Sequence, residues 1–454
     1  MPPTLALLLC TGFVLFLWRI ERKHSPAIAA AVWIPTVWVM YCAGKPLAMW
    51  FGGGVGVGGI EGGSALDRNF LIGLIVLGLG VLARRRLDWQ VIKRDNPWLL
   101  IICCYALVSI VWSEFPFVSV KRYIRFIGAF VMALVLFSEP TPALAVESIL
   151  RRTVFAFIPF SLLLIKYYPS LGIAFGRVSG GTYWVGVATQ KNSLGVLCLV
   201  AAFFLFWSVL RAWYQGVASK TKARNYADVL VGVLALLLLR GPSNAAASKT
   251  SFAVLALGCF CLLGMLWMKS RGRFLTQGKF IAVIMLAYGY GLGIPFGLNE
   301  LFTGVVQALG RDATFTGRTE IWAELIPIAM DAPILGCGYG GFWVRSVESG
   351  VNEAHNGYLD VMLELGIVGL LLLSGFVVSM CRAAYAALPQ DFWWPAFGLC
   401  FALMVVLHNA SESTFLKTSD FLWTLMVFVS ILLPTVARTK LCAQTGVRTR
   451  VESA

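Results

Sequence analysis

Charge and histidine are what this chain has least of. Of 454 residues only 13% are Asp, Glu, Lys or Arg and three are His, against 59% hydrophobic residues and a mean hydropathy of +0.79. A soluble enzyme needs a hydrated, charged surface, so this composition excludes that class and fits a chain whose main solvent is lipid. There is no H-E-x-x-H sequence and no D-x-D pair, and too few His and Cys are expected on the outer side to close a zinc site. No metal and no cofactor are therefore expected. An intramembrane protease would need a G-x-S-G serine, paired aspartates or a zincin helix, and Gly176-Arg177-Val178-Ser179-Gly180 is none of these. Of the eleven cysteines only Cys337 falls in the expected outer loop, which leaves no disulfide framework there.

What is present is a series of apolar runs. A hydrocarbon core about 30 Å thick needs roughly 17–25 apolar residues per helix. Segments of about that kind run near 3–19, 26–44, 69–83, 97–112, 122–138, 153–166, 192–210, 226–240, 251–268, 280–298, 358–380, 393–408 and 419–436. The chain is therefore expected to be an all-α polytopic membrane protein, 1–454 as one integral domain, with about 12–13 spans. The first run lacks a basic leader and an A-x-A site, so it is kept as a span and not read as a signal peptide.

Lys and Arg set the orientation, because short cytoplasmic loops hold an excess of them. Alternate connections collect 23 of the 37, including Arg84, Arg85, Arg86, Arg151, Arg152, Lys222 and Arg224. This places the amino terminus and the polar interlude 299–357 outside and the tail 437–454 in the cytoplasm. It also makes the net charge of +15 mainly a topology signal, not a nucleic-acid one. Two Gly-rich stretches, Gly54 to Gly59 and Gly336 to Gly341, match G-x-G-x-x-G formally. Neither follows a strand in a βαβ unit, so no dinucleotide site is expected.

The charges that break this bias are the candidate functional ones. Arg122 and Arg125 sit three apart near the start of a span expected to open at Pro116, so they share a helix face. Snorkelling to lipid headgroups is one reading and an anion site the other. Lys191, followed by Asn192, and Lys249 each open a span, where free backbone N–H groups already favour an anion.

In the interlude, Ile321, Trp322, Leu325, Ile328 and Ala329 recur at helical spacing, which predicts a short amphipathic helix. Arg318 falls within about 60° of Ile321, Trp322 and Leu325, while Glu320, Glu324 and Asp331 lie opposite. Its charge is thus expected to point inward, at a bound anion or at an acid within a span. His355, beside Asn356 and Tyr358 at the entrance of a span, is a candidate general base with an ordinary pKa near 6.5. Asp360 and Glu364 lie one turn apart within that span and are expected to pair with Arg122, Arg125 or Arg318. His408, Asn409 and Glu412 form a further polar cluster at a helix exit.

These motifs, Gln190-Lys191-Asn192-Ser193-Leu194-Gly195, Ser248-Lys249-Thr250-Ser251, Gly317-Arg318-Thr319-Glu320-Ile321-Trp322 with Gly336-Cys337-Gly338-Tyr339-Gly340, and His355-Asn356-Gly357-Tyr358-Leu359, resemble in order and spacing the O-antigen ligase-like membrane protein family. The resemblance covers roughly 182–380. It implies glycosyl transfer from a polyprenyl-pyrophosphate-linked glycan to a glycan or lipid A-core acceptor, on the periplasmic face of a bacterial inner membrane. It also implies that Arg318, and with it Lys191, Arg122 and Arg125, carry the family's basic residues and that His355 carries its histidine. Polymerase and ligase both stay open, with a lean to an exopolysaccharide-type polymerase. A transporter or flippase of lipid-linked oligosaccharide is the alternative. It is disfavoured because no repeat and no polar path through the bundle is evident.

Overall fold

The computed structural model describes residues 1–25, 28–51, 64–175, 181–217, 221–241, 248–297, 318–347 and 353–445. The Gly-rich stretch 52–63, Arg177, Arg311, the Thr316-Gly317 start of the interlude motif and the last tail residues lie outside them. In chain order the principal helices are α1 (Pro3–His24), α2 (Trp33–Ala43), α3 (Ala65–Ala83), α4 (Trp89–Asp95) and α5 (Pro97–Val108). Then follow α6 (Pro116–Phe137), α7 (Pro142–Tyr167), α8 (Lys191–Tyr214), α9 (Lys222–Arg240) and α10 (Lys249–Ser270). The last are α11 (Gln277–Gly293), α12 (Arg318–Asp331), α13 (Gly357–Ala387), α14 (Trp393–His408) and α15 (Phe421–Thr445). A two-stranded antiparallel hairpin, β1 (Ile173–Phe175) with β2 (Thr182–Trp184), pairs Ala174 with Tyr183.

Among the described residues each of the expected apolar segments falls mainly on helix, so the chain is an all-α polytopic membrane protein. Among the described residues seven helices are long and apolar enough to cross a membrane alone, or eight if α4 and α5, bent by 89°, count as one span. The difference from 12–13 has physical reasons. Helices α2 and α14 and the apolar part of α15 are short, while α6 carries Lys121, Arg122 and Arg125, and α9 carries Lys222, Arg224, Asp228 and Arg240. Proline opens several helices where its missing N–H does no harm: Pro97 at α5, Pro116 at α6 as expected, and Pro142 at α7. The last helix runs on to Thr445, so the expected tail begins as helix.

The chain forms two compact units: Met1–Gly52, Gly73–Arg86 and Val131–Trp267 in the first, and Gly53–Ile72, Leu87–Phe130 and Met268–Ala454 in the second. In the first, α7 packs against α1, α2, α8 and α9. Arg151 and Arg152, expected in a loop, lie instead within α7 and are buried. Arg151 bonds Asp228 of α9 through Nε at 3.0 Å and Nη2 at 3.2 Å, and Ser208 at 2.7 Å. Arg152 meets Glu21 of α1 at 3.0 Å, and Arg211 pairs with Glu147. Several charges that weighed in the orientation count are therefore already neutralised within the bundle.

In the second unit α13 packs on α5, α11, α14 and α15. Helix α13 is broken at Gly366, whose φ is +63°. A Cβ there would fall on the Ile334 carbonyl, so only glycine fits the break. The segment 333–341 supplies the bonds the break removes. Ile367 N–H donates to Pro333 O at 2.8 Å, Cys337 N–H to Leu363 O and Gly338 N–H to Glu364 O, both at 2.9 Å. The second G-x-G-x-x-G match is thus a backbone strap across a broken helix.

Candidate active site

The stripe on α12 is used as its spacing requires. Trp322, Leu325 and Ala329 are buried, and Glu320, Glu324 and Asp331 are exposed. Ile328 departs from the pattern, at 39% exposed. Trp322 Nε1 donates to Ala354 O at 2.8 Å, tying the helix to the residue before His355. From this inward face Arg318 Nη2 donates to Glu412 Oε1 at 2.7 Å. The acid it meets comes from the loop 409–420, not from within a span.

Two loops carry the rest, and short-range bonds hold them together. The Asn356 side chain caps α13, accepting from the Tyr358 and Leu359 N–H groups at 3.1 and 2.9 Å, and donates to Gly291 O and Ala410 O. Asn409 Oδ1 accepts from the Thr414 and Phe415 N–H groups, and Gly357 N–H donates to both Asn409 O and Glu412 O. The helix entrance and the 409–420 loop are therefore tied together by direct hydrogen bonds. Among the described residues the non-glycine positions with positive φ are His355, Leu416 and Ser419, at +50°, +56° and +53°. All three fall in these two loops. Such backbone costs on the order of 1 kcal/mol each and persists where packing demands it, most often at sites.

The result is a row of charges alternating in sign. Glu412 Oε2 lies 3.9 Å from His355 Nδ1, and Glu353 Oε1 lies 3.0 Å from the same nitrogen. Lys417 Nζ donates to Glu353 Oε2 at 2.6 Å and stands 3.5 Å from Asp360 Oδ2, while Asp360 Oδ1 accepts the Ala354 N–H at 3.0 Å. The order runs Arg318, Glu412, His355, Glu353, Lys417, Asp360. Burial disfavours the imidazolium, but the Glu353 and Glu412 carboxylates outweigh it and push the His355 pKa up to about 9. Burial likewise opposes the carboxylates. Lys417 and His355 hold Glu353 well below the usual range, and His355 and Arg318 keep Glu412 low. At neutral pH the resting site holds an imidazolium, not the neutral base that a pKa of 6.5 would give.

Asp360 takes Lys417 as its cation, not Arg122, Arg125 or Arg318. Arg122, buried on α6, donates through Nη1 to Gly340 O at 2.7 Å, and Arg125 is half-buried one turn on. Tyr358 is a buried pillar, its hydroxyl donating to Val406 O at 2.7 Å and its ring set edge-on to Tyr288 and Phe415. Lys191 and Lys249 belong to the first unit. There Gly195 lets their two motifs touch, since a Cβ would come 2.5 Å from the Ser248 Cβ. The Lys191 ammonium lies 4.4 Å over the Tyr183 ring, Asn192 beside it is half-buried, and Lys249 is exposed. Glu353 and Lys417 were missed. Glu353 stands two residues before His355 and carries a readable signal, whereas nothing in the local sequence sets Lys417 apart from other loop cations.

Glu353, His355 and Glu412 offer ligand atoms within 4.8 Å of one another, the one group among the described residues with metal-binding geometry. Each carboxylate already meets a cationic side chain, Lys417 on Glu353 and Arg318 on Glu412. Those side chains occupy the electrostatic place a metal would take.

Residues 234–374, which include Arg318, His355 and Asp360, match the O-antigen ligase family model. The chain is also 25% identical over 308 residues to the exopolysaccharide production protein ExoQ of Rhizobium meliloti, an alignment covering 62% of this chain and 63% of that protein. The chain thus spans less than two thirds of the length of the curated relative it matches. Over the matched region, which holds its histidine-centred helix entrance, the chain thus resembles the O-antigen ligase-like membrane proteins.

Proposed function

We propose that this protein is a membrane glycosyltransferase that moves a glycan from a polyprenyl-pyrophosphate donor to an acceptor hydroxyl on the periplasmic face of a bacterial inner membrane, without a metal. The reading favoured is a polymerase of the exopolysaccharide type, in keeping with the relative's name. The observation that carries it is Arg318, a partly exposed guanidinium held by one carboxylate next to His355. A pyrophosphate oxygen can replace Glu412 on Arg318, and guanidinium binds such oxygens bidentately as charge grows on the leaving group. Arg125, in the same unit, is a further cation for the phosphates and lipid headgroup.

Nδ1 is the nitrogen nearest both carboxylates, which leaves Nε2 of His355 to meet the acceptor hydroxyl. Glu353 orients the ring and makes it a strong base, at the expense of a neutral fraction of about one in a hundred at pH 7. The hydroxyl loses its proton to Nε2 as its oxygen attacks the anomeric carbon, and pyrophosphate departs from the opposite side, inverting that carbon.

The test is the purified protein in liposomes with EDTA and its native lipid-linked repeat unit, with and without a lipid A-core acceptor. Longer lipid-linked chains from donor alone are expected, and product only with the core would mean a ligase. Arg318→Ala and His355→Ala are expected to insert normally and lose about 10²–10⁴-fold in rate. Full activity in either variant would remove its assigned role, and lipid movement without transfer would favour a flippase.

A further inference from the structure

His408 is a buried titratable side chain that the chemistry above does not use. It closes α14 and is 1% exposed, yet neither Nδ1 nor Nε2 has a hydrogen-bond partner. A neutral imidazole carries one donor and one acceptor, and protein interiors rarely leave both unmade. The charges that act on the ring are those of Glu412, Arg318 and Glu353, all members of the row. A turn joins His408 to Glu412: the Glu412 N–H donates to His408 O at 3.1 Å, and the Ser411 N–H donates to the same oxygen at 3.2 Å. Residues four apart on such a turn have Cβ atoms about 5–6 Å apart, within mutual reach of their side chains.

The fate of Glu412 during transfer gives this unused ring a task. At rest the carboxylate, 6% exposed, has Arg318 Nη2 at 2.7 Å and His355 Nδ1 at 3.9 Å. Transfer takes both away, since pyrophosphate occupies the guanidinium and His355 must be neutral to accept the acceptor's proton. A buried carboxylate left with neither cation nor donor is strongly unfavourable. We propose that His408 is a positioning residue that receives Glu412 when phosphate displaces it from Arg318, an exchange that rests on the glycosyl-transfer reading above for its trigger. An imidazole N–H donates to the released carboxylate, a charge-assisted bond that replaces the one given up. Glu412 thus has two positions, on Arg318 in the empty site and on His408 in the occupied one. The unmade bonds of His408 at rest mark the second position, and Arg318 is left free to grip the leaving group.

The experiment uses the full-length protein in nanodiscs and has one arm without ligand and one with inorganic pyrophosphate. Without ligand, His408→Leu removes two unsatisfied buried atoms and is expected to leave Tm unchanged or raise it, but to lower it when Arg318→Ala has already freed Glu412. By calorimetry, His408→Leu should weaken pyrophosphate about tenfold, and His408→Gln, which keeps an N–H, should weaken it less. Once Glu412→Ala has removed the carboxylate, His408→Leu should have no further effect on pyrophosphate. Equal loss of Tm with and without Arg318, or failure of both His408→Leu and His408→Phe to accumulate, would make the ring a core residue and overturn the exchange. Unchanged pyrophosphate affinity in folded His408→Leu, or a tenfold loss that persists without Glu412, would overturn it too. If the unmodified protein bound no pyrophosphate while the Tm difference appeared, the glycosyl-transfer reading would fall and the exchange of partners would stand.

Discussion

Two sets of ionic residues in this chain use the same side chains to opposite ends. In the first unit Arg151 and Asp228 are 1% and 0% exposed, doubly bonded to each other and closed off by Ser208. In the second, Arg318 and His355 are 16% and 28% exposed, and a single carboxylate, Glu412, faces them both. A closed pair has no bond left to offer a ligand, and so reads as architecture. A row of six groups sharing carboxylates, with Arg318, His355, Glu353 and Lys417 partly exposed, can release one partner to a substrate without leaving a charge stranded, because water and the next member of the row are at hand.

Breaking the closed pair is the most damaging change expected. Asp228→Ala leaves the Arg151 guanidinium buried and uncompensated, a loss of about 3–5 kcal/mol that thermal unfolding in detergent would register as a large drop in Tm or as failure to accumulate. Arg318→Gln, at an accessible pair, is expected to cost about 1 kcal/mol or less in the same measurement while abolishing transfer. The double change Arg151→Met with Asp228→Leu sharpens the contrast, since replacing both partners of a buried pair by apolar side chains is often neutral in stability. Retained activity is expected there. If that double variant folded but lost activity, the first-unit pairs would have to be counted as functional.

How much of this was legible follows the same division. The helices were readable because lipid leaves long apolar runs, and the inward turn of Arg318 was readable because a helix repeats at 3.6 residues per turn. Its partner was not, since Glu412 lies 94 residues away and reaches Arg318 through a loop held by Asn409 and Gly357. Arg151 and Arg152 misled the reading for a related reason. Arginine marks a cytoplasmic loop only when it has no carboxylate, and Asp228 and Glu21 approach from other helices. The upward shift of His355 was equally hidden, because it needs two carboxylates from separate loops.

That shift gives a prediction of intermediate size, with a definite sign. The folded-state pKa of His355, about 9, lies above the value near 6.5 expected in the unfolded chain. Its contribution to stability is therefore complete below about pH 6.5 and lost as pH rises through about 9, amounting to no more than about 3 kcal/mol. Unfolding measured between those pH values should show a decline that His355→Gln removes. Transfer, which needs the neutral ring, should run the other way and rise toward pH 9. Glu353→Gln removes one of the charges that hold the proton, so it should move the acid limb of the rate profile to lower pH. A limb that stayed in place would mean that His355 is not the group that titrates, and the accessible row would lose its claim to be the reacting one.

The smallest effect is expected where a charge touches neither set. Glu324 lies on the exposed face of α12, opposite the buried Trp322 and Leu325, two turns from Arg318. An exposed carboxylate there is solvated whether or not the site is occupied. Glu324→Ala should therefore stay within about 0.5 kcal/mol of the unmodified protein in stability and match its transfer rate. The comparison needs this control because Glu324 and Glu412 are the same residue type in one unit, and only Glu412 meets Arg318 and His355. A marked loss of transfer on removing Glu324 would mean that net negative charge near α12, and not the specific contact at Glu412, governs the arginine.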